Sequence, residues 1–183
     1  MEDWVHRALE RWPNVPALYG WLKLDRRGRW LIKGEVISRS QIIDTINPNY
    51  AADERGCWYF QNGPQRGYMA LEYTPLVLRV EHDRLKTHTG LAADAVSAAY
   101  LDEEGALVLV TEHGPGVLAE SDLDWALRHL ERNGQPVNDD DLAAALALPS
   151  GMQTALRLRL GYDSLPVQRL DAAQMPGKLG LVR

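Results

Sequence analysis

The sequence predicts an α+β protein built from a duplicated antiparallel meander-plus-helix unit. Three observations carry that prediction. Apolar and polar residues alternate at period two in several short runs, as half-buried strands do. The tetrapeptide Asp-x-x-Gly occurs three times, each time just ahead of an aliphatic or aromatic run. A strand–strand–strand–helix order is also written twice along the chain. With 183 residues, 45% hydrophobic and 25% charged, the composition excludes disordered, collagen-like and low-complexity classes.

The elements follow in chain order. Trp4, Val5, Ala8, Leu9 and Trp12 share one helical face and predict a short amphipathic helix ended by Pro13. Leu22, Leu24, Trp30 and Ile32 alternate with polar neighbours around Asp25-Arg26-Arg27-Gly28, which predicts a hairpin. In such a turn the Asp side chain accepts local backbone N–H groups, and the Gly supplies the left-handed conformation that closes it. The tetrapeptide recurs at Asp53-Glu54-Arg55-Gly56 before Cys57-Trp58-Tyr59-Phe60, and at Asp102-Glu103-Glu104-Gly105 before Leu107-Val108-Leu109-Val110.

The first copy of the longer repeat continues through Gly34, Val36 and Ile37 to Ser40, Ile42 and Ile46. The second continues through Gly114, Gly116, Val117 and Leu118 to Ser121, Leu123 and Leu127. The offset is 77 residues at the turns and 81 at the helices. Ser40 and Ser121 are expected to cap their helices, with Asp124 completing an approximate capping box. Strands are expected over 58–61, 67–72 and 75–81, with Pro75 at a strand start or edge. A helix through Leu123, Leu127 and Leu130 is expected to stop at Gly134. Asp139-Asp140-Asp141 then suits the positive end of a helix over 142–148, a commoner use of such a run than metal binding. Leu156, Leu158 and Leu160 alternate with Arg157 and Arg159 as one more strand, and the stretch through Pro166, Pro176 and Gly180 reads as irregular. The expected organisation is a lead-in over 1–18, a first repeat unit over 19–82 and a second over 83–183.

The net charge of -5 is unevenly spread. Residues 1–91 hold 13 Lys/Arg against 11 Asp/Glu, whereas residues 92–183 hold 7 against 14. An acidic chain lacks the concentrated basic face that neutralises phosphates, so no nucleic-acid partner is expected. No apolar run approaches a bilayer span and the N-terminus lacks a signal peptide's features. Cys57 is the one cysteine, so the expected location is a reducing cytoplasm with no membrane partner.

No catalytic signature emerges. Gly114-Pro115-Gly116 lacks the pattern of a phosphate loop and reads as a hairpin turn. The histidines His6, His82, His88, His113 and His129 show no zinc spacing, so neither a metal nor a cofactor is expected. Cys57 beside Trp58 reads as a small buried hydrophobe, and Glu112-His113 is an isolated acid-base pair. The most informative stretch is Trp58-Tyr59-Phe60-Gln61-Asn62-Gly63-Pro64-Gln65-Arg66-Gly67-Tyr68. It offers either a stacking and hydrogen-bonding surface for a ligand or a plain hairpin turning at Asn-Gly with its aromatics in the core.

Gly28-x-Trp30-x-x-x-Gly34-x-x-Ile37-x-Arg39, then Glu54-x-Gly56-x-Trp58-Tyr59, then Thr74-Pro75-Leu76 resemble the signature of an uncharacterised proteobacterial family. The resemblance covers about residues 20–80, and the turn at 62–66 differs from the family's, the position of a sister group. It implies a duplicated small α+β unit whose C-terminal half is similar to pleckstrin-homology-like domains. It also implies a role in signal transduction, with a small, nucleotide-like ligand held between the halves. The expected ligand-binding residues are Trp30, Arg39, Trp58, Phe60, Gln61, Asn62, Gln65, Arg66 and His88. The expected function is a cytoplasmic ligand-sensing or regulatory module. The alternative is a protein-interaction or scaffold subunit, with a protein partner or a second copy of the chain.

Overall fold

The computed structural model describes residues 1–12 and 15–183, so the expected helix stop at Pro13 lies outside the described residues. The chain forms two compact units, one of Met1–Pro75 with Gly180–Arg183 and one of Leu76–Leu179. Both mix helix and strand, which is the α+β class. Among the described residues no helix is long and apolar enough to cross a membrane.

The first unit opens with α1 (Asp3–Arg11), followed by β1 (Leu18–Leu24), β2 (Trp30–Ile32), β3 (Glu35–Val36) and α2 (Ser40–Ile46). It continues with β4 (Tyr50–Ala52), β5 (Trp58–Asn62) and β6 (Gln65–Leu71). The six strands form one sheet in the order β3-β2-β1-β6-β5-β4. Consecutive strands within hairpins pair antiparallel, and β1 pairs with β6 in parallel. The β1/β6 register shifts between Leu18 and Leu22, where Gly20 takes a positive φ of 73°. Extra residues in one strand bend it and rotate its side chains, which turns Tyr19 toward Tyr68.

The three Asp-x-x-Gly turns are built alike. The Oδ1 atoms of Asp25, Asp53 and Asp102 each accept the backbone N–H two and four residues on, at 2.8–3.0 Å. The N–H of Gly28, Gly56 and Gly105 returns to the carbonyl of its Asp, and each glycine is left-handed with φ of 77°, 80° and 85°. One carboxylate therefore satisfies the amides a tight turn would orphan, which is why the tetrapeptide is legible as a turn.

The second unit comprises β7 (Leu76–Glu81), β8 (Arg84–Thr87), β9 (Val96–Leu101), β10 (Leu107–Thr111), β11 (Gly114–Leu118) and α3 (Leu123–His129). After these come β12 (Leu130–Arg132), β13 (Gln135–Pro136), α4 (Asp139–Leu146), β14 (Gln153–Leu160), β15 (Asp163–Arg169) and α5 (Met175–Leu179). Its nine strands run in the order β13-β12-β14-β15-β9-β10-β11-β7-β8, and the β11/β7 and β15/β9 pairs are parallel. Leu78, Leu101, Leu107, Leu109, Leu156 and Leu158 form a continuous aliphatic core with Trp125.

Several local expectations are corrected. Neither serine caps a helix: Ser40 is the first residue of α2 and Ser121 lies in a 3-10 turn. The cap positions belong to Arg39 and Asp122, neither using its side chain as a cap; Asp122 Oδ2 instead accepts the N–H of Val80 at 3.1 Å. A reciprocal capping box forms at Asn138 and Asp141, ahead of the acidic first turn of α4. The helix through Leu123 ends at His129, because Asn133 and Gly134 both take positive φ and fold residues 130–136 into a hairpin. The C-terminal stretch is regular: β15 meets β9 only from Val167 onward, just past Pro166, and Pro176 sits in the first turn of α5.

The strand–strand–strand–helix order of the first unit, β1-β2-β3-α2, is repeated by β9-β10-β11-α3. A further echo lies 100 residues along. Lys33-Gly34 and Asn133-Gly134 make matching positive-φ turns, and Ile37 N–H to Trp30 O (2.8 Å) has its counterpart in Val137 N–H to Leu130 O (3.3 Å).

Candidate functional site

The β5–β6 hairpin ties down two of its three amide side chains, Gln61 and Gln65. Asn62 faces Gln65 across the ladder, so the turn centres on Gly63-Pro64, one residue later than an Asn-Gly turn. Gly63 carries the positive φ (56°) at the first central position that such a two-residue hairpin needs. Gln61 is 0% exposed; its Nε2 donates to the Gly63 carbonyl (2.8 Å) and its Oε1 accepts from Arg66 Nε (3.1 Å). Gln65 Nε2 donates to the Pro16 carbonyl at 3.1 Å. Asn62 and Arg66 are exposed, and the Arg66 guanidinium lies 4.4 Å from the Tyr59 ring centroid.

Trp30 and Trp58 are core residues. Trp30 meets Tyr50 edge-on, Tyr50 is tilted against Trp58, and Trp30 Nε1 donates to Asn47 Oδ1 at 2.9 Å. Phe60, half-buried, pairs with Tyr50 and Gly67 on the neighbouring strands. Arg39 is exposed at the start of α2. His88 belongs to the second unit, where its Nδ1 accepts the N–H of Val77 at 3.2 Å. Glu112 and His113 brace the backbone: Glu112 accepts from Asp94 N–H and Ala95 N–H, and the His113 ring meets the Ala92 carbonyl at 2.8 Å. Partial burial pushes the Glu112 carboxyl up, but those backbone donors outweigh it and hold it below its ordinary value.

The first unit gathers a different set of side chains, none of them among the expected ligand-binding residues. Tyr19 and Tyr68 stack with centroids 4.8 Å apart and planes 3° from parallel. Tyr68 is tilted against Tyr59, and Arg55 lies 5.8 Å from the Tyr68 centroid. The Tyr68 hydroxyl donates to Asp53 Oδ2 (3.1 Å), which also accepts Arg55 Nε and Nη2 at 3.1 and 2.8 Å. The Arg55 hydrogen bond is the main reason the Asp53 carboxyl is held down to about 2, with the backbone and Tyr68 donors adding to it. Arg55 is correspondingly stabilised as a cation by Asp53.

These rings border a cleft of about 230 Å³ lined by Tyr19, Cys57, Trp58, Tyr68, Met69 and Arg183, among others. The C-terminal residues build one wall: Val182 bridges Cys57 in parallel, and its N–H donates to the Gly56 carbonyl at 3.1 Å. The cleft combines a flat aromatic surface, an apolar floor and Arg183 at its margin. Such a surface stacks planar rings and attracts anions. Among the described residues there is no cluster of three or more His, Cys, Asp or Glu side chains arranged to hold a metal. The signal for Tyr68 was present in the aromatic stretch around the hairpin, but its Tyr19 partner comes from a parallel pairing that local periodicity does not encode.

Comparison with known proteins gives a family and a structure of similar fold. The family model DUF2944, described as "Protein of unknown function (DUF2946)", matches residues 1–183. A crystal structure of a DUF1285 family protein from Silicibacter pomeroyi DSS-3 is similar at 15% identity and a TM-score of 0.57, covering 87% of this chain and 86% of that one. A DUF1285 family protein from Shewanella baltica OS155 is 14% identical with a TM-score of 0.45, over 56% of this chain and 86% of that one. No curated protein matches the sequence.

Proposed function

Since the chain belongs to this family of proteins of unknown function, we propose a role drawn from its own surface: a regulatory binding module whose first unit takes a small, nucleotide-like ligand in the cleft beside Tyr19 and Tyr68. One observation carries this reading. The two tyrosines are stacked in parallel at the mouth of an apolar cleft, and Tyr19 remains 63% exposed, leaving a ring face open to a planar ligand. A base stacked on such a ring is worth about 1–3 kcal/mol. Arg183 lines the same cleft, so an anionic group on the ligand meets positive charge. Of the residues expected from sequence, Trp58 lines this cleft, and Trp30 and Phe60 lie on strands of the same sheet. The role is one of binding in the cytoplasm, with regulation as its consequence.

Thermal denaturation with adenosine and guanosine monophosphates tests the proposal. A saturable rise in melting temperature is expected, smaller for the matching nucleosides and lost in Tyr19→Ala, since a ligand that binds the native state stabilises it. No rise at about 1 mM nucleotide, where a site of even weak affinity is largely filled, would count against the reading. A second reading, a protein-interaction surface, is favoured by the exposure of Trp21 and Trp12 in the same unit. Concentration-dependent self-association weakened by Trp21→Ala and unaffected by nucleotide would favour it.

A further inference from the structure

The second unit contains its own cleft, of about 330 Å³, at the small end of ligand-binding clefts, which run from about 300 to 1,000 Å³. Its floor is apolar: Leu85, Ala93 and Trp125 are buried, and Val96 and Leu160 pack against the same core. Its rim is charged, with Asp83, Arg84, Asp94 and His129. The chain assembles it from separate places. His82 and Asp83 both take positive φ in the β7–β8 turn, which presents Asp83 and then Arg84. The segment after β8 supplies Ala93 and Asp94, and α3 places Trp125 and His129 one turn apart.

Two of the rim groups are committed to structure. Asp83 Oδ1 accepts Trp125 Nε1 at 2.8 Å and lies 3.9 Å from His129 Nε2. His129 donates from Nδ1 to the Trp125 carbonyl (2.8 Å), and the imidazole stacks on the indole with centroids 4.2 Å apart. The other two are not committed. The Asp94 carboxylate and the Arg84 guanidinium make no hydrogen bond or ion pair among the described residues; Asp94 engages only its backbone N–H, with Glu112. They also do not pair with each other, although both line the same cleft.

A cleft with an apolar floor and one unspent charge of each sign on its rim is complementary to a zwitterion with an apolar tail. We propose that this cleft binds a free apolar α-amino acid. Asp94 receives the ammonium, Arg84 receives the carboxylate, and the side chain enters against Leu85, Val96 and Trp125. A simple amine leaves Arg84 unused, and a simple carboxylate leaves Asp94 unused, so each lacks one charge-assisted contact. The site is independent of the first unit's cleft and of the reading proposed for it.

Calorimetric titration of the full chain with L-phenylalanine and L-leucine tests this, with 2-phenylethylamine and 3-phenylpropionate as the two half-ligands. Binding of an amino acid is expected, with each half-ligand weaker by about tenfold or more, the effect of one charged contact. Asp94→Asn should weaken phenylalanine about tenfold and leave phenylpropionate unchanged; Arg84→Gln should weaken phenylalanine and leave phenylethylamine unchanged. Both residues are exposed, so neither substitution threatens folding. Tryptophan fluorescence is expected to change on titration, since Trp125 forms part of the floor. No amino-acid binding up to about 10 mM, a half-ligand binding as tightly as the amino acid, or phenylalanine affinity in either variant equal to that of the parent would each overturn the proposal. Tyr19→Ala should leave amino-acid binding unchanged, so failure here and failure of the nucleotide reading are separate results.

Discussion

The two units run through the same strand–strand–strand–helix order and fill their interiors with different chemistry. In the first, rings are prominent: Trp30, Tyr50, Trp58 and Tyr59 lie on strands of a six-stranded sheet, and two of them hydrogen-bond to polar partners. Trp30 Nε1 donates to Asn47 Oδ1, and the Tyr50 hydroxyl donates to the Pro75 carbonyl at 3.0 Å. In the second, leucine, valine and alanine fill the core of a nine-stranded sheet, with Trp125 the one ring in the cluster. A sheet of six strands has fewer inward positions than one of nine, so large side chains supply more of its buried area. Those rings bring polar atoms that fix their orientation, and further rings remain on the surface. The larger sheet reaches an aliphatic core with a single ring in it. Element order set the common topology, and side-chain chemistry decided which surface stays open to aromatic ligands.

The largest effect that tests this contrast is in the aliphatic core. Leu109→Ala, at a fully buried position, should destabilise by about 2–5 kcal/mol in chemical denaturation, because interlocked aliphatic side chains collapse poorly around a cavity. Trp30→Phe keeps most of the ring and loses the Asn47 hydrogen bond, so about 1–3 kcal/mol is expected. Equal losses at the two sites would break the distinction between a jigsaw core and a tethered-ring core.

A second comparison uses turns that are alike in backbone and unlike in surroundings. A Cβ at Gly56 would lie 2.0 Å from the Gly180 carbonyl oxygen, a backbone atom that cannot rotate away, whereas a Cβ at Gly105 meets nothing within 4 Å. Both glycines are left-handed, so each Ala substitution costs about 1–2 kcal/mol in conformation. Gly56→Ala should cost clearly more than Gly105→Ala and should free the C-terminal segment that walls the first cleft. Hydrogen exchange at the Val182 amide, slow in the parent and fast in Gly56→Ala alone, would read this out.

The smallest effect is electrostatic. Asp53 is held down to about 2 in the folded chain, below its ordinary value near 4. Its contribution to stability is therefore complete above the unfolded value and disappears as the pH falls from about 4 through 2. Asp53→Asn should flatten that part of the stability-against-pH curve measured by thermal denaturation, and an unchanged acid limb would show that the Arg55 and Tyr68 contacts do not persist in solution.

Local chemistry made much of the fold legible. The three Asp-x-x-Gly turns follow from one carboxylate and one glycine acting within five residues. The strand at 153–160 follows from Leu156, Leu158 and Leu160 facing inward between exposed arginines. Membership in an uncharacterised family was also readable, from the glycine, tryptophan and arginine spacing at 28–39. Where two local signals competed, the reading failed: Asn133-Gly134 signals a hairpin as well as a helix stop, and Pro166 and Pro176 disfavour regular structure except at the positions they occupy.

By itself, then, the sequence determined turn positions, strand alternation, the α+β class and the repeated strand–strand–strand–helix order, because each depends on neighbours a few residues apart. Only the tertiary structure decided the parallel pairings of β1 with β6, β11 with β7 and β15 with β9. It also decided the stacking of Tyr19 on Tyr68, the return of Val182 to Cys57, and the pairing of Trp125 with Asp83 across 42 residues. Those contacts depend on which distant segments meet, and the hydrophobic effect that brings them together is non-directional, so no short stretch of sequence records the partner.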